Sequence, residues 1–484
     1  MTHEHVDVLV VGAGISGIGA GYHLQANCPH RSYAILEGRD DIGGTWDLFR
    51  YPGVRSDSDM YTLGYAFRPW TGEKSIADGP SILAYLRETA REYGIDRKIR
   101  FGHRVNRAAW SSETAQWTVE AECVASGETV RLNCGFLFMC SGYYDYAEGY
   151  TPEFEGVKRF AGRIVHPQKW TGDIEYTGKR VVVIGSGATA VTLVPALARE
   201  AAHVTMLQRS PTYVVARPSV DATAARLRRY LPARLAHGLM RWKNVLLGMY
   251  FFSLCRRNPR RAKAMIAAGV KQALGPDFDV DTHFTPRYNP WEQRLCLVPD
   301  GDLFKAIRNK RVSVVTDHID SFTETGLKLR SGIELPADLV VTATGLKLQV
   351  LSGVAITVDG ASVDPAKSFT YKGMMFSDVP NFASSFGYTN ASWTLKSDLT
   401  CAYVCRLLNH MAKTGARSCM PRVRYADMAA EAWVDFSSGY FLRALDKLPK
   451  QGSRKPWKLH QNYLRDLLAM RFASVEDDAM EFSR

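Results

Sequence analysis

Two stretches of this chain share one uncommon arrangement, a run of β-branched residues that ends in a glycine turn and opens a helix of small residues. Val8-Leu9-Val10-Val11 precedes Gly12-Ala13-Gly14-Ile15-Ser16-Gly17, and Val181-Val182-Val183-Ile184 precedes Gly185-Ser186-Gly187-Ala188-Thr189-Ala190. The first glycine of such a motif permits the tight turn, the second lets backbone approach a pyrophosphate, and the third small residue allows close helix-strand packing. The helix N-terminus then offers free N–H groups and the positive end of its dipole to the phosphates. One such turn is often a plain packing device. Two, each preceded by a strand, predict a protein that cradles two different dinucleotides.

The strand beyond each turn separates the two sites. After the first turn, the strand Tyr33-Ala34-Ile35-Leu36 delivers Glu37, twenty residues beyond Gly17, where a carboxylate accepts hydrogen bonds from ribose hydroxyls and repels a 2'-phosphate. That acid suits the adenosine half of FAD or NAD. After the second, the strand Val204-Thr205-Met206-Leu207 delivers Gln208-Arg209-Ser210 and no acid. A guanidinium at this place clamps a 2'-phosphate bidentately, which favours NADPH over NADH.

The segments after the two turns repeat as well. Residues 99–142 read as short strands with a turn at Ser126-Gly127, closing on the apolar run from Phe136 to Cys140; residues 312–345 do the same, with a turn at Ser331-Gly332 and a closing run from Leu339 to Thr344. Each half reads as a βαβ unit plus a meander that returns to a parallel sheet. The expected fold is therefore α/β, with two Rossmann-like domains, one interrupting the other. The expected boundaries are 1–145 for the first part of an FAD domain and 146–217 for the first part of an NADP domain. A helical insertion at 218–295, the rest of the NADP domain at 296–378, and a C-terminal return to the FAD domain at 379–484 complete the division. A chain of 484 residues has room for about three domains of roughly 150 residues.

With 46% hydrophobic and 23% charged residues the composition is that of an ordinary globular protein. The first strand starts within eight residues of the N-terminus, so no signal peptide is expected, and no apolar run reaches the roughly 20 residues that span a bilayer. Nine cysteines without paired spacing predict reduced thiols in a cytoplasmic setting and no metal site. Cys401 and Cys405 are spaced to pack one helix face rather than to relay electrons as a Cys-x-x-Cys pair does.

The net charge of +12 is concentrated in one place. Between Arg226 and Gly275 lie twelve Lys or Arg and no Asp or Glu, which leaves the rest of the chain balanced against its 49 acids. The same segment holds the eleven-residue apolar run Val245–Cys255, flanked by Arg241-Trp242-Lys243 and by Arg256-Arg257-Asn258-Pro259-Arg260-Arg261. As a helix that run extends about 17 Å against a hydrocarbon core of roughly 30 Å, so it does not span. The preferred reading is an amphipathic excursion that packs on its own protein. The alternative is peripheral contact with an anionic membrane. Nucleic acid is not expected, since no binding motif accompanies the charge.

Between the two turns runs Phe160-Ala161-Gly162-Arg163-Ile164-Val165-His166-Pro167-Gln168-Lys169-Trp170. It resembles the Phe-x-Gly-x-x-x-His-x-x-x-Trp fingerprint of Baeyer–Villiger monooxygenases, class B flavoproteins that use FAD, NADPH and molecular oxygen. Trp170 favours this branch over the related N- and S-oxygenating group, whose pattern ends in Tyr or Phe. The resemblance extends through Gly43-Gly44-Thr45-Trp46, Arg50-Tyr51-Pro52-Gly53-Val54-Arg55-Ser56-Asp57, the loop Trp291-Glu292-Gln293-Arg294, Gly387 to Lys396, and Lys450 to Arg454. It is similar to the members that oxygenate ketones and thioamide or thioether sulfur, thioamide prodrugs among them.

That resemblance implies Gly12, Gly14, Ser16, Gly17, Glu37, Gly44, Thr45, Trp46, Asp47, Leu48, Asp57 and Val105 around FAD. It implies Arg55, Ser56, Asp57, Gly185, Ser186, Gly187, Ala188, Thr189, Ala190, Val191, Arg209 and Ser210 around NADP, with Arg294 as the catalytic arginine and Asp57 beside it. In such enzymes NADPH reduces the flavin, oxygen gives a C4a-peroxyflavin, and that species converts a ketone to an ester or lactone or oxygenates sulfur. A permanently cationic Arg294 would stabilise the developing oxyanion in a water-poor pocket. Two rival expectations are a monooxygenase acting mainly on sulfur or nitrogen, and a membrane-associated NADPH-dependent flavin reductase.

Overall fold

The computed structural model describes residues 4–424 and 427–484. Its first glycine turn leaves the strand Glu4–Val11, which sits inside a nine-stranded sheet. Val8, Leu9 and Val10 are fully buried, as expected for a parallel strand covered on both faces. This strand pairs in parallel with Tyr33–Leu36 on one side and with Thr129–Met139 on the other. The early half of Thr129–Met139 pairs antiparallel with Gln116–Cys123, so the meander is fused into the sheet. Helix Ile15–Asn27 covers one face and is itself covered by the C-terminal helix Trp393–Thr414.

The second turn leaves Arg180–Ile184 in a five-stranded parallel sheet, ordered Val312–Thr316, His203–Gln208, Arg180–Ile184, Leu339–Thr342, Arg163–Val165. Here the meander stands apart: Ile319–Phe322, Gly326–Leu329 and Glu334–Pro336 form their own antiparallel sheet. The two halves therefore repeat in order and differ in how the meander docks. The two domains are joined by an antiparallel pair, Tyr144–Gly149 with Leu346–Leu348.

The chain returns to the first sheet earlier than residue 379. Ala355–Val358 already pairs in parallel with His103–Ser111, where Ile356 supplies a buried apolar side chain to that sheet's core. Phe382–Ser384 then adds alongside Thr129–Met139.

The interval between the paired strands Val214–Arg217 and Cys296–Pro299 is filled by helices Ala222–Tyr230, Ala233–Arg257, Pro259–Leu274 and Val280–Phe284. Asp221, Asn258 and Asp279 accept backbone N–H bonds at three of these starts, which fixes where the segment breaks into helices. The apolar run Val245–Cys255 lies in the second half of a 25-residue helix, and no helix among the described residues is long and apolar enough to cross a membrane. Several of the segment's cations turn inward. Arg241 is buried and donates to the carbonyls of Tyr61 at 3.0 Å and Gly64 at 2.7 Å, and Arg228 donates to those of Trp70 and Gly72. Lys243 is paired with Asp221. Arg241 and Arg228 fasten the insertion to the first domain and Lys243 braces it internally, so the sequence count overstates the charge free to meet a partner.

Candidate functional site

Both glycine turns open onto one cavity of about 980 Å³ between the domains. The two first glycines have the same reason to be glycine. Gly12 has φ +102° and a Cβ there would stand 2.7 Å from the carbonyl oxygen of Cys140; Gly185 has φ +130° and its Cβ would stand 2.3 Å from that of Ala343. In each case the turn is pressed against the end of the returning strand. The helices opened by these turns, Ile15–Asn27 and Ala188–Leu197, begin at Gly14 and Gly187 with no side-chain cap on their N–H groups. At Gly187 a Cβ would meet nothing within 4 Å, so the space in front of that turn is open. Gly17 serves packing alone, its Cβ position falling 1.8 Å from the oxygen of Gly12.

Glu37 stands at the end of its strand, buried, with Oε2 accepting from the N–H of Ala13 at 2.7 Å and Oε1 from that of Arg39 at 2.9 Å. Burial raises its pKa, and the two backbone N–H groups oppose that rise. Each carboxylate oxygen keeps a second lone pair for a ribose hydroxyl. Asp47, on the short helix Thr45–Leu48, points away into ion pairs with Arg39 and Arg50. At the second site Ser186 Oγ hydrogen-bonds the carbonyl of Ser210 and the hydroxyl of Thr212, drawing the two loops together, while Arg209 is exposed.

Of the residues singled out in the sequence, Gly12, Gly14, Ser16, Glu37, Gly44, Thr45, Trp46, Arg55, Ser56, Asp57, Val105, Gly187, Ala188, Thr189, Val191 and Arg294 line the cavity. Gly17, Asp47, Leu48, Gly185, Ser186, Ala190, Arg209 and Ser210 do not line it. Gly17 and Ala190 are buried under their helices, and Arg209 and Ser210 lie outside the wall.

Arg294 precedes the strand Cys296–Pro299 in a turn that is strained: Trp291 has φ +68°, a region that bulky residues rarely adopt. Glu292 closes this turn by accepting from the backbone N–H and side-chain amide of Asn289. The guanidinium so aimed donates from Nε to Oδ2 of Asp57 at 2.8 Å and from Nη1 to the carbonyl of Thr389 at 2.8 Å. Burial is the largest single influence and works against its charge, but Asp57, joined by Tyr440 and Tyr143, holds the pKa above the ordinary arginine value. Arg55, two residues before Asp57, crosses the cleft to Asp302 and to the carbonyl of Val191. Its Nε, like Oγ of Ser141 on the same cavity, is buried without a hydrogen-bond partner among the described residues. Orphaned donors beside uncapped helix starts fit a polar, anionic ligand.

One stretch of the wall is aromatic, supplied by Tyr143, Tyr144, Phe386, Trp393, Tyr440 and Phe441. Tyr143 stacks on Trp393 with centroids 5.2 Å apart, and its hydroxyl is 2.8 Å from that of Tyr144. Trp393 donates its indole N–H to Ser16 Oγ at 2.8 Å. Burial raises the pKa of Tyr440, a rise that the Arg294 charge opposes. Trp393 lies in the Gly387–Lys396 stretch singled out in the sequence, whereas sequence reasoning missed Asp302, Thr212, Tyr143, Tyr144, Phe386, Tyr440 and Phe441, which carry no spacing signal. The fingerprint residues lie off the cavity. Phe160 packs on Phe322, Trp170 is buried against Tyr176, and a Cβ on Gly162 would strike the ring of Phe160. His166 Nε2 hydrogen-bonds the carbonyl of Gly345 at 3.0 Å, and burial lowers its pKa. It thereby fastens the start of the second domain to the linker Leu346–Leu348.

The family model of flavin-binding monooxygenase-like proteins matches residues 76–240, and that of the NAD(P)-binding Rossmann-like domain matches residues 10–73. FAD-containing monooxygenase EthA of Mycobacterium tuberculosis (strain ATCC 25618 / H37Rv) is 55% identical over 482 residues, covering 99% of this chain and 98% of that protein. Putative FAD-containing monooxygenase MymA of the same organism is 48% identical over 487 residues, with the same coverage of 99% and 98%. A solved oxidized steroid monooxygenase bound to NADP shares the fold with a TM-score of 0.78 at 22% identity, covering 99% of this chain and 100% of that one.

Proposed function

This chain belongs to the FAD-containing monooxygenases of the flavin-binding monooxygenase-like type, and from that premise we propose that it is an NADPH- and O2-dependent Baeyer–Villiger monooxygenase. On this reading it converts ketones to esters or lactones and also oxygenates thioamide and sulfide sulfur. The observation that carries the proposal is Arg294, a cation fixed by Asp57 and Thr389, facing a cavity that two nucleotide turns and an aromatic wall share.

The first turn, with Glu37 behind it, would hold the adenosine and pyrophosphate of FAD, and Thr45, Trp46 and Val105 would enclose the rest. The second turn would hold the pyrophosphate of NADPH, with Arg209 on its 2'-phosphate. When bound, the flavin supplies oxygen activation and the nicotinamide supplies hydride. The chain's own work is positioning and charge. Arg294 keeps its proton throughout and stabilises negative charge on a ketone oxygen as the carbon becomes tetrahedral. Asp57 aims the guanidinium and keeps it from drifting toward solvent. Tyr143, Tyr144, Phe386 and Phe441 exclude water and receive the apolar body of the substrate. Insertion of one oxygen atom of O2 between the carbonyl carbon and its neighbour would then give the ester, the other oxygen atom leaving as water at the expense of the two electrons of NADPH.

The test is product analysis of the holoenzyme with NADPH and air, given a ketone in one reaction and a sulfide in another. Ester from the first and sulfoxide from the second support the proposal. Sulfoxide without ester restricts the enzyme to sulfur. NADPH consumption that yields hydrogen peroxide and no oxygenated product overturns it.

A further inference from the structure

The outer face of helix Ala233–Arg257 is apolar and uncovered. Its inner face, with Ala236, Met240 and Val245, is buried against the protein. Leu235, Leu239, Trp242, Leu246 and Tyr250 point outward, each between 43% and 67% exposed. Their spacing of four, three, four and four residues keeps all five on one strip of a 3.6-residue helix, about 22 Å long. Isolated exposed apolar residues need no explanation, but a continuous strip does.

Cations border this strip on both ends. Arg229 and Arg234 lie before it; Arg257, Arg260 and Arg261 lie after it, all exposed, and no acidic residue occurs from Arg226 to Gly275. A second short element joins the surface through the Trp242–Tyr463 ring contact at 5.9 Å. It carries Leu468 at 62% and Phe472 at 67% exposure, with Arg465 and Arg471 exposed beside them. Apolar side chains that would enter an acyl boundary, flanked by arginines that would meet headgroups, are the pattern of an in-plane membrane helix.

Charge decides between occupants. A second copy of the chain would bring the same cationic face against itself, since a twofold interface pairs a patch with its own equivalent. Like charges so placed oppose association. An anionic lipid surface complements both the strip and its border.

We propose that this face, formed by helix Ala233–Arg257 and the neighbouring Leu468 and Phe472, docks on anionic phospholipid bilayers and holds the enzyme peripherally. The proposal is independent of which substrate the cavity oxidises. The insertion's inward arginines fasten it to the first domain while its outward face meets lipid, so the packing and membrane readings of the segment both apply, to opposite sides of one helix.

The experiment is co-flotation of the FAD-loaded enzyme with phosphatidylcholine vesicles made with and without phosphatidylglycerol. Binding is expected only with phosphatidylglycerol and should weaken as salt rises. Leu239→Ser combined with Leu246→Ser should cut the bound fraction on the order of tenfold, with flavin absorbance and thermal midpoint unchanged. Arg257→Glu, Arg260→Glu and Arg261→Glu together should do the same by a separate route, and they decide the matter if the leucine variant loses its fold. Wild type that never floats, or charge variants that float as well as wild type, overturn the proposal. So does a lipid-free dimer of wild type that the leucine variant dissociates, since a second copy would then cover the strip.

Discussion

Arg294 sets two of its N–H groups against a single oxygen of Asp57: Nε and Nη2 stand 2.8 and 2.7 Å from Oδ2. The pairing is a hinge pin rather than a flat bidentate clamp, because both donors converge on one carboxylate oxygen. The guanidinium plane is therefore fixed by two points, Asp57 on one side and the Thr389 carbonyl on the other.

Removing the cation tests its role directly. Arg294→Ala is expected to bind flavin and consume NADPH while ester formation falls about a hundredfold to a thousandfold. Asp57→Asn keeps the shape and loses the charge pairing, so a smaller loss, about tenfold, is expected. Sulfide oxygenation develops no oxyanion and should fall less in both. Steady-state ester and sulfoxide yields with matched flavin content measure this, and undiminished ketone oxidation in Arg294→Ala removes the assigned role.

Arg209 is exposed at the end of His203–Gln208, close in sequence to the Ser186–Ser210 loop contact. A charge-assisted contact to a phosphate contributes roughly 1.5–3 kcal/mol. Arg209→Ala should thus raise the KM for NADPH about tenfold to a hundredfold and leave that for NADH nearly unchanged. Initial rates with each nucleotide settle it, and equal losses would detach the residue from the phosphate.

Local elements of this fold were legible because their causes are local. A β-branched strand, a turn that needs positive φ at Gly12 and Gly185, and a small-residue helix lie contiguous in the chain, so their pattern shows in the sequence. Glu37 was visible for the same reason, being the residue at which a buried strand ends. Contacts between distant parts left no such trace. Arg55 meets Asp302 and Trp393 meets Ser16 from remote parts of the chain, and nothing in either neighbourhood announces the other. The return of Ala355–Val358 to the first sheet was hidden because a four-residue strand has too short a period to show which sheet will take it. The exposed strip on Ala233–Arg257 was hidden too: the contiguous run Val245–Cys255 is the stronger sequence signal, whereas the strip begins at Leu235 and depends on the helix being unbroken.

Acid should loosen the insertion before it affects the cavity. His237 lies on the buried face of helix Ala233–Arg257, its Nδ1 accepting from the N–H of Trp70 at 3.4 Å. Burial, helped by the nearby Arg241 charge, pushes its pKa down to about 4. Above the ordinary histidine value of about 6.5 both folded and unfolded chains hold it neutral. As pH falls from about 6.5 toward 4 the unfolded chain takes up a proton that the folded one refuses, so stability falls by up to about 3 kcal/mol. His237→Gln keeps an acceptor and cannot titrate. Its thermal midpoint should decline less steeply than that of wild type over this window, and parallel pH profiles would show that His237 is not the group responsible.

The second glycine of the second turn offers the cleanest separation of folding from nucleotide binding. Gly187 has φ −77° and ψ −174°, extended backbone that alanine adopts without strain, and a Cβ there meets no atom within 4 Å. Gly187→Ala should therefore fold with an unchanged thermal midpoint and keep its flavin. The added methyl would, however, occupy the open space before the uncapped start of Ala188–Leu197, where a pyrophosphate must come close to backbone N–H groups. NADPH affinity should drop about tenfold, equivalent to about 1.4 kcal/mol. Gly185→Ala is the contrast: with φ +130° and a Cβ 2.3 Å from the Ala343 oxygen, it should damage the second domain itself. Calorimetric titration with NADPH and a thermal melt on both variants distinguish the two effects. Wild-type affinity in Gly187→Ala would mean that the dinucleotide does not approach this turn, and the second phosphate site would have to be sought elsewhere on the cavity wall.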